Sequence, residues 1–297
     1  MEEGVALSRY TTLGTGGPAR WFAAPATVEE LSEALAWARQ RDLAVAAIGL
    51  GSNLLVADAG FDGLALRLSG DLAAAAAADD RLVAGGGAAL AVCLHRARAA
   101  ALGGLEFACA IPGTVGGAVW MNAGAYGADL ASVLERALVV DADGARWLSP
   151  SDLGLHYRRS ALRPGQVVAR AEFALTPRPV EEIKATVAEM QARRKAAQPT
   201  NRRTFGSVFK NPDHDLTAGR MLEACGLRGH VIGGACISPK HANFIENAGG
   251  ATTEDALALI AEARRRAHEQ FGVTLEPEVQ LVGEIEIAPL AGAPRTG

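Results

Sequence analysis

The sequence predicts an α+β fold of two or three domains. The chain has 297 residues, which is long for a single hydrophobic core. Short apolar runs bounded by glycine are typical of strands, and longer stretches carry the apolar spacing of amphipathic helices. Hydrophobic residues make up 49% and charged residues 21% of the chain, a composition that indicates a globular protein with an ample core.

The first part of the chain is predicted to hold one helix and three strands. A helix is predicted over residues 27–41 because Thr27 and Glu30 form a capping box before an apolar face of helical spacing. Strands are predicted at residues 44–48, 53–57 and 64–68. The first two of these strands are expected to complete a β-α-β unit with the helix, and this lobe is expected to end near Gly70.

The remaining elements follow the same two patterns. Strands are predicted at residues 81–84, 167–175 and 275–282, with a hairpin across 137–148. Helices are predicted at residues 88–101, 178–197, 217–225 and 253–271, with a short one beginning near Thr114. Because the helix at 178–197 ends in a cationic cluster, a domain boundary is placed there. The predicted domains are residues 1–70, 71–195 and 196–297.

A glycine-rich segment at residues 110–127, AIPGTVGGAVWMNAGAYG, lacks the polar residues of a surface linker. Glycine has no Cβ, so the backbone of such a segment can approach a ligand closely, and successive N–H groups can bind an anion. A glycine-rich turn between two packed elements remains the alternative interpretation.

A second glycine segment joins two apolar runs within residues 44–58. Its turn, GLGSN at residues 49–53, offers N–H groups and the Ser52 and Asn53 side chains to a phosphate or pyrophosphate. The turn is not a Rossmann fingerprint, because no third glycine follows and no helix pattern begins there.

These two segments, together with GSVFKNP at residues 206–212, resemble the UDP-N-acetylenolpyruvoylglucosamine reductases, flavoenzymes of bacterial peptidoglycan synthesis. The resemblance runs from about residue 11 to residue 283. It implies a two-lobed FAD-binding fold of the vanillyl-alcohol oxidase type in residues 1–195, followed by an α+β substrate-binding domain. It also implies FAD and NADPH as cofactors and UDP-N-acetylglucosamine enolpyruvate as substrate.

The resemblance implies three catalytic residues. Arg158 would bind the substrate carboxylate and stabilise its enolate form, for which a planar guanidinium is suited. Ser207 would donate a proton to C2 of the substrate, with Lys210 or a water assisting. Glu278 would stabilise the enolate with Arg158, and Glu276 is the exposed alternative. The hydride would pass from NADPH to flavin N5 and then to C3 of the substrate.

The binding residues are carried over in the same way. FAD would be bound by the two glycine segments, at Gly49, Gly51, Ser52, Asn53, Pro112, Gly113, Thr114, Gly116, Gly117, Asn122, Ala123 and Gly124. The substrate would be bound by Tyr157, Lys210, Asn211, His241 and Asn243.

Some family members carry a tyrosine-bearing insertion that closes over the substrate. This chain has three tyrosines, and none lies between Ser160 and Gly206. The sequence therefore predicts the short form of the family, in which an arginine meets the substrate diphosphate. The candidates are Arg193, Arg202 and Arg203.

The charge and composition of the chain disfavour some classes of binding partner. The net charge is −4 and no long basic run is present, so nucleic-acid binding is not favoured. No secretory signal or membrane-spanning pattern is found, which predicts a cytoplasmic protein, expected to be monomeric. The repeated Cys-x4-His spacing from Cys225 and Cys236 is not a usual zinc spacing, so no metal site is expected. The alternatives left open are an FAD-dependent oxidase of the same fold and a non-catalytic nucleotide-binding protein.

Overall fold

The structure is a computed structural model that describes residues 1–290. Backbone packing divides the chain into two compact units. Unit 1 comprises Met1–Val5, Ala19–Leu50 and Asp62–Ala196, and unit 2 combines Ala6–Pro18 and Gly51–Phe61 with the chain from Ala197 onward. The predicted domains are consecutive in sequence, whereas these units are not. The three-domain division stays a prediction, and its last residues, 291–297, lie outside the described part.

Unit 1 contains a four-stranded sheet and helix α1, Val28–Arg39. The strands, in spatial order, are Glu2–Ala6, Pro18–Ala23, Phe61–Leu66 and Ala44–Ala47. The apolar face of α1, with Leu31 and Leu35, packs with Leu64 and Leu66 of the sheet. The Thr27 hydroxyl accepts from the Glu30 N–H, but the Glu30 carboxylate accepts from the Ala26 N–H, so only half of the predicted capping box forms.

The larger sheet of unit 1 has five antiparallel strands. In spatial order they are Gly144–Leu148, Leu134–Asp141, Val167–Ala174, Arg81–Gly85 and Ala75–Ala78. This sheet shares a core with three helices, namely α2 (Leu90–Ala99), α3 (Val115–Trp120) and α4 (Val180–Ala197). Phe173 and Phe107 are central to this core and almost fully buried. The predicted hairpin is confirmed, with Asp141 paired to Gly144.

Unit 2 is built on a second antiparallel sheet, in the order Thr204–Ser207, Phe244–Asn247, Ala235–Ile237 and Val231–Ile232. Its core includes residues of helices α5 (Ala218–Ala224) and α6 (Thr253–Phe271). α6 carries a complete capping box from Thr252 and Asp255, and it ends at Gly272 in the left-handed conformation.

Two strand predictions differ from the structure. The strand Leu54–Val56 forms no β-α-β unit with Ala44–Ala47, because it pairs in parallel with Gln280–Val282 in unit 2. The predicted strand at residues 275–282 is regular only over Gln280–Val282. Pro277 has no N–H to donate to a ladder, which interrupts strand pairing before that point.

Two kinds of feature are absent from residues 1–290. No helix in this part of the chain is long and apolar enough to cross a membrane. The same residues contain no cluster of three or more His, Cys, Asp or Glu side chains placed to hold a metal ion.

Candidate active site

In unit 1 the first glycine segment is fixed along residues 86–90 by backbone hydrogen bonds. The Leu90 N–H donates to the Gly113 carbonyl at 2.9 Å, and the Gly116 N–H donates to the Gly86 carbonyl at 2.7 Å. The Thr114 hydroxyl accepts from the Gly117 N–H at 3.5 Å and caps α3. A Cβ on Gly49 would lie 2.4 Å from that hydroxyl oxygen, so Gly49 of the second glycine segment packs against Thr114.

Two glycines of this segment are not required by the packing of the protein itself. A Cβ on Gly113 or Gly117 would come no closer than 3.8 and 3.6 Å to other atoms, and neither residue has positive φ. Within residues 1–290, the N–H groups of Gly113 and Thr114 have no hydrogen-bond acceptor. Close backbone approach by a ligand with acceptor oxygens accounts for both observations, so the segment fits a dinucleotide such as FAD.

The turn that carries Arg158 is bonded to the same glycine segment at three points. The Ser160 hydroxyl donates to the Trp120 carbonyl at 2.7 Å. The Asn122 amide donates to the His156 carbonyl at 3.1 Å, and the Arg158 guanidinium donates to the Gly124 carbonyl at 2.6 Å. Arg158 itself has a φ of 53°, a strained conformation of the kind found where a side chain must take one direction. The segment therefore orients Arg158, whose guanidinium also lies 5.0 Å from the Tyr157 ring centre.

Asn122, which was predicted to bind the cofactor, has its side chain occupied within the protein. It is 2% exposed, and its amide also donates to Asp129 at 3.0 Å. Its carbonyl oxygen accepts from the Ala131 N–H at 3.0 Å. A cofactor contact by Asn122 stays a prediction, and the observed bonds make it the link between Asp129 and the Arg158 turn.

In unit 2 the rest of the second glycine segment is fixed to the N-terminal part of the chain. Gly51 has a φ of 65°, and a Cβ there would lie 1.9 Å from the Tyr10 carbonyl oxygen, so no other residue fits. Within the described residues, the N–H groups of Gly51 and Asn53 have no acceptor, which leaves them available to an anion. The Asn53 amide donates to the Glu278 carbonyl at 3.0 Å.

Ser207 and Glu278 lie on neighbouring chain segments of unit 2. The Glu278 N–H donates to the Val208 carbonyl at 2.8 Å, and the Lys210 N–H donates to the Glu276 carbonyl at 2.9 Å. Ser207 is half-buried and follows Gly206, which has a φ of 83°. The structure thus joins the residue after Ser207, the backbone of Glu278 and the Asn53 side chain by hydrogen bonds.

Lys210 pairs with the other candidate carboxylate. Its ammonium lies 2.5 Å from the Glu276 carboxylate, and the Lys210 side chain is only 15% exposed. Glu276 is therefore engaged by a cation, while Asn53 and the Val208 carbonyl hold the Glu278 backbone. Asn211 accepts from the Ala218 N–H at 3.2 Å and so fixes the start of α5.

Asn243 is buried in unit 2, and the neighbouring His241 is half-buried. The Asn243 side chain bonds to both backbone groups of Phe209. The His241 Nδ1 accepts from the Asn243 N–H at 3.2 Å, which requires Nδ1 to be unprotonated. A Cβ on Gly219 would lie 2.7 Å from the His241 ring, so that glycine makes room for the imidazole. Direct substrate contact by these two side chains stays a prediction.

The three arginines considered for the diphosphate differ in their partners. Arg193 pairs with Glu189 at 2.5 Å, and Arg202 pairs loosely with Glu246 at 3.6 Å. Arg203 forms no ion pair within residues 1–290, and its guanidinium lies over Gly14. Arg203 is therefore the candidate whose charge is not already paired in the described part of the chain.

The cysteines show no sign of activation. Burial raises the pKa of the Cys93 thiol to about 12, and burial also raises the pKa of the Cys109, Cys225 and Cys236 thiols. All four are free thiols. Such thiols are poor nucleophiles and poor metal ligands, since the thiolate is the reactive form.

The half-buried His241 predicts a pH dependence of stability. Burial, with a smaller effect from Arg228, lowers the pKa of His241 below its ordinary value of 6.5. The unfolded chain therefore binds the proton at a higher pH than the folded chain does, so the free energy of unfolding should fall as the pH drops below about 6.5. His241→Gln should flatten this part of the pH profile of Tm.

The exposed His230 of the same unit provides the control. His230→Gln should keep the acid sensitivity of the wild-type chain in thermal unfolding followed by circular dichroism. If His241→Gln and the wild-type chain lose Tm in parallel between about pH 7 and pH 5, protonation of the His241 imidazole is not the cause.

The fold and the site together define a flavoprotein oxidoreductase. Residues 19–148 match the family described as an FAD binding domain. Residues 198–282 match the C-terminal domain of UDP-N-acetylenolpyruvoylglucosamine reductase.

Relatives along the whole chain specify the family. The chain is 46% identical over 286 residues to the UDP-N-acetylenolpyruvoylglucosamine reductase of Anaeromyxobacter dehalogenans (strain 2CP-C), covering 96% of this chain and 87% of that protein. The protein of that name from Rubrobacter xylanophilus is 43% identical over 280 residues, or 94% of each chain. The crystal structure of the Thermus caldophilus enzyme gives a TM-score of 0.82 at 39% identity, covering 94% of this chain and 98% of that one.

The chain belongs to the UDP-N-acetylenolpyruvoylglucosamine reductase family. The resemblance inferred from the two glycine segments and GSVFKNP is therefore confirmed. The predicted two-lobed FAD-binding fold with a C-terminal α+β domain is confirmed as well, and so is FAD as the cofactor.

Proposed function

We propose that this protein reduces UDP-N-acetylglucosamine enolpyruvate to UDP-N-acetylmuramate, with NADPH as electron donor, in peptidoglycan synthesis. The observation that carries the proposal is the hydrogen-bonded group of unit 2. There the chain segment after Ser207 is joined to Glu278 at 2.8 Å, and Asn53 of the second glycine segment bonds to the same Glu278. Membership of the reductase family supports this choice of substrate.

The glycine segments are proposed to hold FAD. In unit 1 the N–H groups of Gly113 and Thr114 are the donors offered to the cofactor, and in unit 2 those of Gly51 and Asn53. Phosphate oxygens are the acceptors that such backbone groups bind best. FAD held there would supply the hydride chemistry that links NADPH to C3 of the enolpyruvyl group.

The chain's own residues complete the reduction at C2. The double bond between C2 and C3 gains a hydride at C3 and a proton at C2, while NADPH becomes NADP⁺. Ser207 is proposed to give the proton to C2. Arg158 binds the substrate carboxylate, and the N–H donors of its planar guanidinium group stabilise the negative charge that develops there. Glu278 is proposed to stabilise the same enolate by donating a hydrogen bond from a protonated carboxyl group, and Asn53 holds the Glu278 backbone carbonyl.

A serine hydroxyl is a weak acid and needs a way to recover its proton. Lys210 is the nearest predicted helper in sequence, and its ammonium is fixed by Glu276 at 2.5 Å. We propose that the Lys210 ammonium, held by Glu276, assists the proton transfer from Ser207, and that the serine oxygen then regains a proton from water. Tyr157 and Asn211 are proposed to contact the substrate, and Arg203 its diphosphate.

An absorbance spectrum of the purified protein tests this function. Flavin bands should be present, should bleach when NADPH is added without air, and should return when UDP-N-acetylglucosamine enolpyruvate is added. Bleaching with return only on admitting oxygen would instead indicate an oxidase of the same fold. Protein that stays colourless after incubation with FAD would overturn the enzymatic proposal. Location in the cytoplasm and a monomeric state stay predictions.

Gly117→Ala should separate flavin binding from folding. The new methyl group meets only the Thr114 hydroxyl at 3.6 Å, and alanine favours a helix over glycine by about 1 kcal/mol. The apoprotein should therefore be as stable as the wild type or slightly more so. The affinity for FAD should fall roughly 10-fold or more, because the added methyl group would keep an acceptor group of FAD away from the N–H donors of the loop.

Titration of apoprotein with FAD, followed by flavin fluorescence, measures the affinity. Gly51→Ala gives the opposite pattern, because its methyl would overlap the Tyr10 carbonyl and unfold unit 2. Unchanged FAD affinity in folded Gly117→Ala would show that the cofactor does not approach the start of α3.

A further inference from the structure

Asn243 makes three hydrogen bonds to the two residues that follow Ser207. Its backbone carbonyl accepts from the Val208 N–H at 2.9 Å. Its side-chain oxygen accepts from the Phe209 N–H at 3.0 Å, and its amide donates to the Phe209 carbonyl at 2.8 Å. Asn243 is only 4% exposed, so water does not compete with these bonds.

The chain before Ser207 needs such a support. Thr204 pairs with Glu246 and Ser207 pairs with Phe244, but the register shifts between these two pairs. Gly206, inside the shift, has a φ of 83°. An irregular ladder of this kind leaves part of the chain without strand partners and redirects the next side chain. Ser207 is thus constrained mainly from the side on which Asn243 binds.

The carboxamide is the group that this position requires. One donor and one acceptor at fixed separation match the N–H and C=O of a single residue, and only Asn and Gln carry both. Because Val208 also accepts from Glu278, the bonds of Asn243 fix the segment that joins the two predicted catalytic residues.

We propose that Asn243 is a positioning residue that directs the Ser207 hydroxyl toward C2 of the substrate. This inference rests on the proposed function. It gives Asn243 a role that needs no contact with the substrate, since both polar groups of its side chain are engaged by Phe209. Asn243 acts on the proton transfer through the backbone of Val208 and Phe209.

The test separates the two halves of the catalytic cycle in the FAD-loaded protein. In Asn243→Ser the side chain is too short to reach both Phe209 groups. Flavin reoxidation by UDP-N-acetylglucosamine enolpyruvate, followed by stopped-flow absorbance, should slow by roughly 10- to 100-fold, since small misplacements of a reacting group have effects of this size. Flavin reduction by NADPH should change less than about twofold, because Ser207 takes no part in it.

Two further measurements distinguish positioning from a general structural role. In a Ser207→Ala background, Asn243→Ser should cause no additional slowing of reoxidation, since the two residues act as a unit. Hydrogen exchange of a peptide spanning residues 205–211 should speed up in Asn243→Ser, both with and without FAD. If Asn243→Ser folds poorly, Asn243→Asp keeps the size and loses the donor to the Phe209 carbonyl, and it should show the same selective effect.

Asn247 provides the matched control, because it ends the strand Phe244–Asn247 that Asn243 directly precedes, and its side chain also bonds to backbone. Its amide donates to the Leu13 carbonyl at 3.0 Å, and its side-chain oxygen accepts from Gly249 and Ala251. Asn247→Ser should lower Tm but leave the ratio of the two half-reaction rates unchanged.

Equal slowing of both half-reactions in Asn243→Ser would overturn the inference, and so would further slowing in the Ser207→Ala background. A wild-type protein whose flavin is reduced by NADPH but not reoxidised by the substrate overturns the proposed function, and the inference with it. The wild-type measurement therefore tells the two failures apart.

Discussion

Ser207→Ala is expected to slow flavin reoxidation by UDP-N-acetylglucosamine enolpyruvate by about 10²–10⁴-fold, the usual contribution of a positioned acid. The substitution removes the proposed proton donor and adds no bulk beside Gly206, so the backbone bond between Val208 and Glu278 should remain. Flavin reduction by NADPH should stay within about twofold of the wild-type rate, because no proton is delivered to C2 in that step. Stopped-flow absorbance of each half-reaction measures the two effects separately.

Ser132→Ala is the control for this prediction. Ser132 lies in unit 1, and its hydroxyl donates to the Asp129 carbonyl within a local turn. Both half-reactions should proceed at wild-type rates in this variant. Wild-type reoxidation in Ser207→Ala would remove Ser207 from the proton transfer and point to Lys210 or a water as donor.

Arg158→Lys is expected to slow reoxidation by about 10²–10³-fold, the range found when one oxyanion donor is removed. Lysine keeps the positive charge but loses the planar fork, which in Arg158 can donate to the Gly124 carbonyl and to a carboxylate at the same time. The dissociation constant of the substrate should rise as well, because the carboxylate is bound in the ground state.

Arg159→Lys is the matched control, since Arg159 is exposed and lies in the same turn. It should leave the rates of both half-reactions and the substrate dissociation constant unchanged. The role proposed for Arg158 is wrong if both lysine variants behave alike, or if Arg158→Lys slows only the step with NADPH.

Local sequence signals predict the helices of this fold well. The helix at residues 253–271 has the bounds expected from its N-terminal carboxylates and apolar spacing, and α5 begins at the expected Thr217 cap. Such signals lie within one or two turns of the helix that they describe. The strands predicted at residues 44–48, 64–68, 81–84 and 167–175 also form close to those positions, whereas the four strands of the unit 2 sheet were not predicted.

Strand partners were harder to predict. Leu54–Val56 pairs with Gln280–Val282, and nothing in either apolar run specifies the other. Neighbouring strands usually pair, so sequence order favours a local unit that this chain does not form.

In the candidate site, too, the sequence indicated which residues matter but not which distant residues they contact. Motif resemblance indicated Ser207, Glu278 and the glycine segments, and in the structure the backbone of Glu278 bonds both to Val208, the residue after Ser207, and to the Asn53 side chain. The bonding of Asn243 to Phe209 could not be derived, because a carboxamide in a sequence looks the same whether it meets a ligand or a backbone. The resemblance indicated Asn243 as a site residue, but not that its side chain bonds to the backbone of Phe209.

Unit 2 also determines when, during synthesis, the protein can become functional. The Asn53 side chain bonds to a carbonyl that is 225 residues further along the chain. Residues 6–18 and 51–61 therefore leave the ribosome long before the later residues of unit 2 are synthesised. They stay without these partners while most of unit 1 is synthesised. Contacts of such long sequence separation fold slowly and leave apolar surface exposed in the meantime. We expect nascent chains that stop before Gln280–Val282 to be chaperone clients that retain no flavin.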